Sequence, residues 1–316
     1  METVLSNFGL VGWLVVFIIA MTILLKGSDY FTDATEDVGK SLGIPNFILG
    51  VTVVSMGTSL PELVSSVFAV QAGSSEIVVG NVVGSNLTNI LLILGITAVV
   101  AKKLKVSWDL AAVDLPLFIG TSALLLLTTY DGVFTTYEAI ISILAFFVYF
   151  GYVFNVHGGE SGSKKKGKVG MKTVGVLLSS VVAIYFGAKY VVGAVIAIAA
   201  ILSIPAEIVA VSAVALGTSL PELVVSLMAV KKGNAEMAIG NILGSNIFNA
   251  TLVMGVAGLF GTLIVPVTLI TLYFPLIIVA SLMYYFVSQD KEVVRWEGLM
   301  LLTLYALFLG TVFSSI

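Results

Sequence analysis

Two stretches of this chain carry residues whose types and spacing could do chemistry, and they are one stretch written twice. Thr58, Ser59 and Glu62 stand at i, i+1 and i+4, and Thr218, Ser219 and Glu222 repeat the arrangement 160 residues later. On a helix this spacing sets each threonine above its glutamate, with the serine close beside. Gly57 and Pro61 frame the first trio, Gly217 and Pro221 the second. A proline inside a span withholds one backbone hydrogen bond and frees a carbonyl upstream. Broken intramembrane helices hold cations through such carbonyls. A second part follows each trio. Asn81, Ser85 and Asn89 lie at i, i+4 and i+8, on one helix face, and Asn241, Ser245 and Asn249 do the same.

The set offers two carboxylates, several hydroxyl and amide oxygens and freed carbonyls, but no sulfur and no imidazole. Hard cations take such shells, and Ca²⁺ takes about 6–8 oxygens. An ionised acid at the centre of a membrane helix costs about 2.5–3.5 kcal/mol or more, and two facing acids repel each other. One divalent cation, or several monovalent ones, relieves both penalties. The expectation is a cation site that is poorly stable without its ions. An exchanger needs this property, since it should change faces easily only when the charge is neutralised.

The elements that must position these residues follow from composition. Of 316 residues, 59% are hydrophobic and only 10% charged, with a mean hydropathy of +1.12. A soluble chain cannot cover its surface with so few charges. The apolar runs approach the ~20 residues that cross a bilayer as a helix and do not alternate as barrel strands would. An integral membrane protein of the cell membrane is expected. The net charge of −3 gives no electrostatic case for nucleic acid. There is no cysteine, and His157 is the lone histidine, which argues against thiolate or His-based metal sites and Ser-His catalysis. No cofactor is expected. The first apolar run lacks a basic flank and a small-residue cleavage site, and reads as a mature span.

Ten apolar segments are expected, at 9–30, 42–71, 76–101, 110–128, 133–155, 172–200, 204–230, 236–261, 263–287 and 295–315. Fourteen of the fifteen basic residues fall beside the connections after segments one, three, five, seven and nine; Lys189 alone falls elsewhere. The positive-inside rule puts that face in the cytoplasm and both termini outside. Residues 1–156 and 172–316 then form two five-helix halves, joined by a polar cytoplasmic linker at 157–171. The halves repeat: 57–95 lies on 217–255 without a gap, with 21 of 39 positions identical. Gly27 matches Gly187, and Pro45 matches Pro205. Five spans per half is odd, so the second copy enters the membrane from the opposite side. Inverted repeats of this kind recur in secondary transporters, with the site near the midplane where the copies meet. Gly80 with Gly84, and Gly240 with Gly244, form small-xxx-small patterns that allow close helix approach.

The paired GTSLPE and GNxxGSNxxN motifs, in inverted five-span halves, resemble the α-repeats (here 55–95 and 215–255) of the calcium/cation antiporter superfamily, and within it the prokaryotic sodium/calcium exchanger branch. The resemblance implies exchange of Na⁺ for Ca²⁺ by alternating access at a shared site. It implies that Glu62 and Glu222 are central ligands, with the carbonyls of Thr58 and Thr218 completing the calcium shell. Ser59, Ser85, Ser219 and Ser245, with the carbonyls of Ser55 and Ala215, would serve flanking sodium sites, and Asn89 and Asn249 would flank the centre. The proton-coupled branch typically places an acid where this chain has GSN, which favours sodium as counter-ion. Related exchangers, the potassium-dependent ones included, commonly carry aspartate at the position of Asn249. Asparagine there argues against potassium dependence and puts in doubt any proton competition assigned to that position.

Plainer roles stand beside these. The two acids could be hydrogen-bonded structural groups, and serines and threonines often bond between or within membrane helices. Asn81, Asn241, Asn86 and Asn246 read as structural, and Glu76 and Glu236 as helix-start acids. Asp114 and Glu138 read as interfacial or structural, and Asp29 and Lys189 as residues that reach an interface by snorkelling. The lysines at 164–168 read as a topological anchor. Proton/calcium antiport or exchange of another divalent cation is the alternative function, with a passive cation channel less favoured. A Ser59–Lys189 enzyme is conceivable, but the duplicated Ser-Glu motif has no hydrolytic logic. No P-loop appears. One chain holds both repeats, so a monomer suffices. Spans one and six are expected to slide against the other eight.

Overall fold

The computed structural model describes residues 9–41, 46–105, 114–157 and 170–314. Pro45, residues 110–113 of the fourth apolar segment and the linker lysines 164–168 lie outside the described residues. The chain is a multi-pass membrane protein, built almost entirely of apolar helices: α1 (Leu10–Ser41), α2 (Gly50–Thr58, preceded by a turn at Asn46–Leu49), α3 (Leu60–Gln71), α4 (Glu76–Ala101), α5 (Asp114–Leu127), α6 (Thr136–His157), α7 (Met171–Leu202), α8 (Ala206–Lys231), α9 (Ala235–Phe260), α10 (Leu269–Val287) and α11 (Arg295–Ser314). Among the described residues, eight are long and apolar enough to cross a membrane. The bent pair α2–α3 makes a ninth, and α5 is a shorter apolar helix of 14 residues.

The helices sort by burial. In α4 and α9, 83% of the most apolar stretch is buried, against 22–50% in the other long helices. These two form the centre, and they carry the Asn-Gly-Ser motifs. Asn86 Nδ2 of α4 donates to the Asn246 carbonyl of α9 at 3.2 Å. The two asparagines are repeat mates, and a residue that touches its own mate marks the pseudo-two-fold axis between the halves.

Glycines let the halves interlock. A Cβ on Gly84 would strike the Val211 carbonyl of α8 and lie 2.6 Å from the Ala215 side chain. A Cβ on Gly244 would strike the Val51 carbonyl of α2 and lie 2.6 Å from the Ser55 hydroxyl. The two contacts are each other's repeat image, and they realise the close approach expected of small-xxx-small patterns. The same symmetry governs α1 and α7, each 32 residues long. At about 48 Å each, they outrun a ~30 Å hydrocarbon core and must tilt or protrude. They cross where Gly27 faces Ile184 and Gly187 faces Leu24.

Two short strand pairs tie connections together. β1 (Lys103–Lys105) pairs antiparallel with β4 (Glu292–Val294), and β2 (Val133–Phe134) with β3 (Leu263–Ile264). The first pair carries an ion pair, Lys103 Nζ to Glu292 Oε2 at 2.7 Å, whose partly exposed position limits it to about 1 kcal/mol or less.

Candidate cation site

Each trio sits on a helix break. α2 ends at Thr58 and α3 begins at Leu60, with an angle of 47° between them. Ser59 forms the corner at φ −89° and ψ 10°, outside the helical range. Pro61 falls in the first turn of α3, where a missing N–H costs nothing. Ser219, at φ −82° and ψ 1°, makes the equivalent break in α8, which is straighter and runs from Ala206 to Lys231 as one span. Glu62 and Glu222 both lie in the first turn after the break. There a helix start presents its positive end, the favourable place for a carboxylate.

Just upstream of each trio the helix widens to π geometry, at Gly50–Val54 and Ala210–Val214. It widens again in α4 at Thr88–Leu94 and in α9 at Asn249–Val253. Such bulges cluster at functional sites. Four lie next to the motifs, as two repeat-related pairs. Sequence periodicity does not reveal them, because a π turn needs no proline or glycine.

Side chains from both halves converge between these breaks. Glu62 and Glu222 are fully buried and repel one another. Ser59 Oγ donates to Glu222 Oε1 at 2.8 Å, across the repeats. Ser85 Oγ donates to Glu62 Oε1 at 3.4 Å, and Thr218 also interacts with Glu62. Thr58 and Ser245 interact with Glu222. Thr58 Oγ1 donates to Asn241 Oδ1 at 3.3 Å, and Thr218 Oγ1 to Asn81 Oδ1 at 3.4 Å. These asparagines brace each threonine against the opposite repeat, which gives their structural role a location at the site itself. Asn241 is held in turn by the Ser226 hydroxyl at 3.1 Å. The Ser55 carbonyl accepts the Ser59 N–H at 3.0 Å and the Thr58 hydroxyl at 3.2 Å. The Ala215 carbonyl accepts the Ser219 N–H at 3.1 Å and the Thr218 hydroxyl at 3.4 Å. Ser59, the serine of the conceivable enzyme pair, is thus committed to Glu222, while Lys189 is exposed on α7.

Several polar atoms in this buried cluster have no hydrogen-bond partner: Glu62 Oε2, Glu222 Oε2, Ser219 Oγ, and both ends of the Asn89 and Asn249 amides. An unsatisfied buried group costs about 1–3 kcal/mol, and more when charged. All lie at 1% exposure or less. Oxygen atoms left over around two carboxylates fit a hard cation. Among the described residues no cluster of three or more His, Cys, Asp or Glu exists, so this mixed carboxylate, hydroxyl and amide set is the candidate.

A family model described as "Sodium/calcium exchanger protein" matches residues 12–156 and 172–314. The chain belongs to the sodium/calcium exchanger protein family. Among curated relatives, the sodium/calcium exchanger MaX1 of Methanosarcina acetivorans is 32% identical, covering 94% of this chain and 97% of that protein. The membrane protein MJ0091 of Methanocaldococcus jannaschii is 28% identical over 93% of this chain and 96% of its own length. The solved structure of the sodium-calcium exchanger NCX_Mj soaked with 100 mM Na⁺ and 10 mM Sr²⁺ shares this fold. It has a TM-score of 0.73 at 27% identity, over 96% of this chain and 99% of that one.

Proposed function

We propose that this chain is a secondary active antiporter that exchanges Na⁺ for Ca²⁺ across the cell membrane, with both ions competing for one midplane site. The observation that carries the reading is the fully buried pair Glu62 and Glu222, one from each repeat, each with one carboxylate oxygen that has no hydrogen-bond partner. Membership of the sodium/calcium exchanger family and the likeness to MaX1 and NCX_Mj support the same ions.

In this reading ten spans form two inverted five-helix halves, 1–156 and 172–316, with both termini outside and the 157–171 linker in the cytoplasm. The strand pairs support that count. Connections after spans three and nine pair with each other, and so do those after spans four and eight. Each pair therefore lies on one face of the membrane, as the count requires. The ions are cargo. Glu62 and Glu222 are central ligands shared by both ions; the Thr58 and Thr218 carbonyls complete the calcium shell, and Ser59, Ser85, Ser219, Ser245 and the Ser55 and Ala215 carbonyls serve the flanking sodium sites. Asn89 and Asn249 close the centre. α1 and α7, crossing at Gly27 and Gly187, move together against the rest to open the site to one face at a time. The sodium gradient then drives calcium out of the cell.

The test is calcium uptake into proteoliposomes loaded with sodium and diluted into sodium-free medium. Uptake that requires internal sodium and disappears in Glu62→Gln is expected. Uptake driven only by a proton gradient would move the protein to proton/calcium antiport, and uptake indifferent to both gradients would mean a channel.

A further inference from the structure

The inverted repeat gives every surface near the site a counterpart at the opposite face, and here the two differ. A crevice of about 400 Å³ opens between α1 and α8, and its wall includes Lys26, Asp29 and Asp33 of α1, Val225 and Met228 of α8, and Lys232 just past its end. It begins close to the cation site, because Val225 is three residues past Glu222, about 4.5 Å along the helix. A shift of 160 residues carries this wall to α7 and α3, at Lys189, Gly193 and Phe68 among others. There the packing is closed: the Phe68 and Tyr185 rings meet edge-on, with centroids 5.0 Å apart. Val224 and Met228 are 53% and 46% exposed on the crevice side. Their mates Val64 and Phe68 are part-buried. Repeat-related surfaces are thus open at one end of the molecule and shut at the other.

The two ends also differ in charge. Asp29 and Asp33 offset Lys26 and Lys232 on the open wall, bringing it to neutrality. Lys189 stands at the place of Asp29 on the closed side, and uncharged Gly193 at the place of Asp33.

We propose that the crevice is the cytoplasmic ion mouth, that Asp29 and Asp33 keep it from repelling calcium, and that the Phe68–Tyr185 contact shuts the inverted mouth. The inference rests on sodium/calcium exchange and on the orientation given above. It adds a division of labour. The inner mouth admits calcium from a low concentration, while Lys189 at the outer one disfavours its return. Asp29 acts through space on ions in transit and is a positioning residue, distinct from the ligands. Its effect scales with ion charge, so a divalent ion feels it as the square of what a monovalent ion feels.

Two measurements test this. In vesicles of defined orientation, Asp29→Asn should raise the cytoplasmic calcium concentration for half-maximal exchange about two- to fivefold, shrinking with added salt. Sodium half-saturation on the same side should rise by about the square root of that factor, external calcium half-saturation should not move, and Asp29→Glu should restore the wild-type value. Equal changes at both faces, or none, would overturn the role of Asp29. Separately, the chain has no cysteine of its own, so single cysteines report access cleanly. Met228→Cys should react with a membrane-impermeant thiol reagent from the cytoplasmic side only, and Phe68→Cys should resist it from outside. Labelling of Met228→Cys from outside would overturn the assignment of the mouth. Labelling needs no transport, so a wild-type protein that moved no calcium would fail the exchange reading while the mouth was still judged.

Discussion

Glu62 and Glu222 are the residues on which the account stands, and their burial makes their removal informative. A hydrogen-bonded charge pair in a desolvated site is worth about 2–5 kcal/mol, so Glu222→Gln should weaken calcium binding about 30- to 5,000-fold while the protein still folds. Calcium titration of the purified variant checks this, with its elution profile as the folding control. Asn249 makes a second prediction. Its amide has no partner in a site that already holds two acids. Asn249→Asp would add a third proton-binding group there, so exchange should fall more steeply toward acid pH in the variant than in the wild type. Flux measured across a pH series, variant against wild type, reads it directly. Most of this site was legible in the sequence, because the duplicated trios put identical chemistry at identical spacing. The bracing by Asn81 and Asn241 was not. Their partners Thr218 and Thr58 are over a hundred residues away, and helical periodicity speaks only of neighbours on the same helix.

At the scale of elements, glycine decides how closely the repeats approach. Gly84→Ala would press a methyl group into the Val211 carbonyl, whereas Gly120 has nothing within 4 Å of its Cβ position. Overpacking of this kind costs about 1–3 kcal/mol. Gly84→Ala should therefore lower the melting temperature in detergent by several degrees and Gly120→Ala should not, as followed by thermal unfolding of the two variants side by side. The small-xxx-small spacing foretold close approach at Gly84 and Gly244. It did not name the partner, which needs the interlock of α4 with α8 and of α9 with α2. The π turns at Gly50–Val54 and Ala210–Val214 stayed hidden for another reason. They lie where α2 packs on α9 and α8 on α4, across the repeats, and composition does not record that pairing. Pro61 and Pro221 announced a disturbed backbone upstream, but not that the corner would fall at Ser59 and Ser219.

Across the whole molecule, on the proposed ten-span reading, the pattern of charge and the inverted repeat imply one orientation. Asp131 lies between spans four and five and Gly162 in the linker. A single cysteine at 131 should label only from outside, and one at 162 only from the cytoplasm; the reverse pattern would turn the molecule over. The paired strands tie connections four and six spans apart, a long-range fact that hydropathy does not contain, yet they respect the two faces that the lysines mark out. Alternating access requires that sodium and calcium exclude each other from one site, and this is the claim to test most directly. Equilibrium binding of radioactive calcium to purified protein should be measured at rising sodium, with potassium as the ionic-strength control. Sodium should raise the apparent calcium dissociation constant without lowering the number of sites, and potassium should not. Calcium binding indifferent to sodium, or lost in capacity at unchanged affinity, would contradict a shared site.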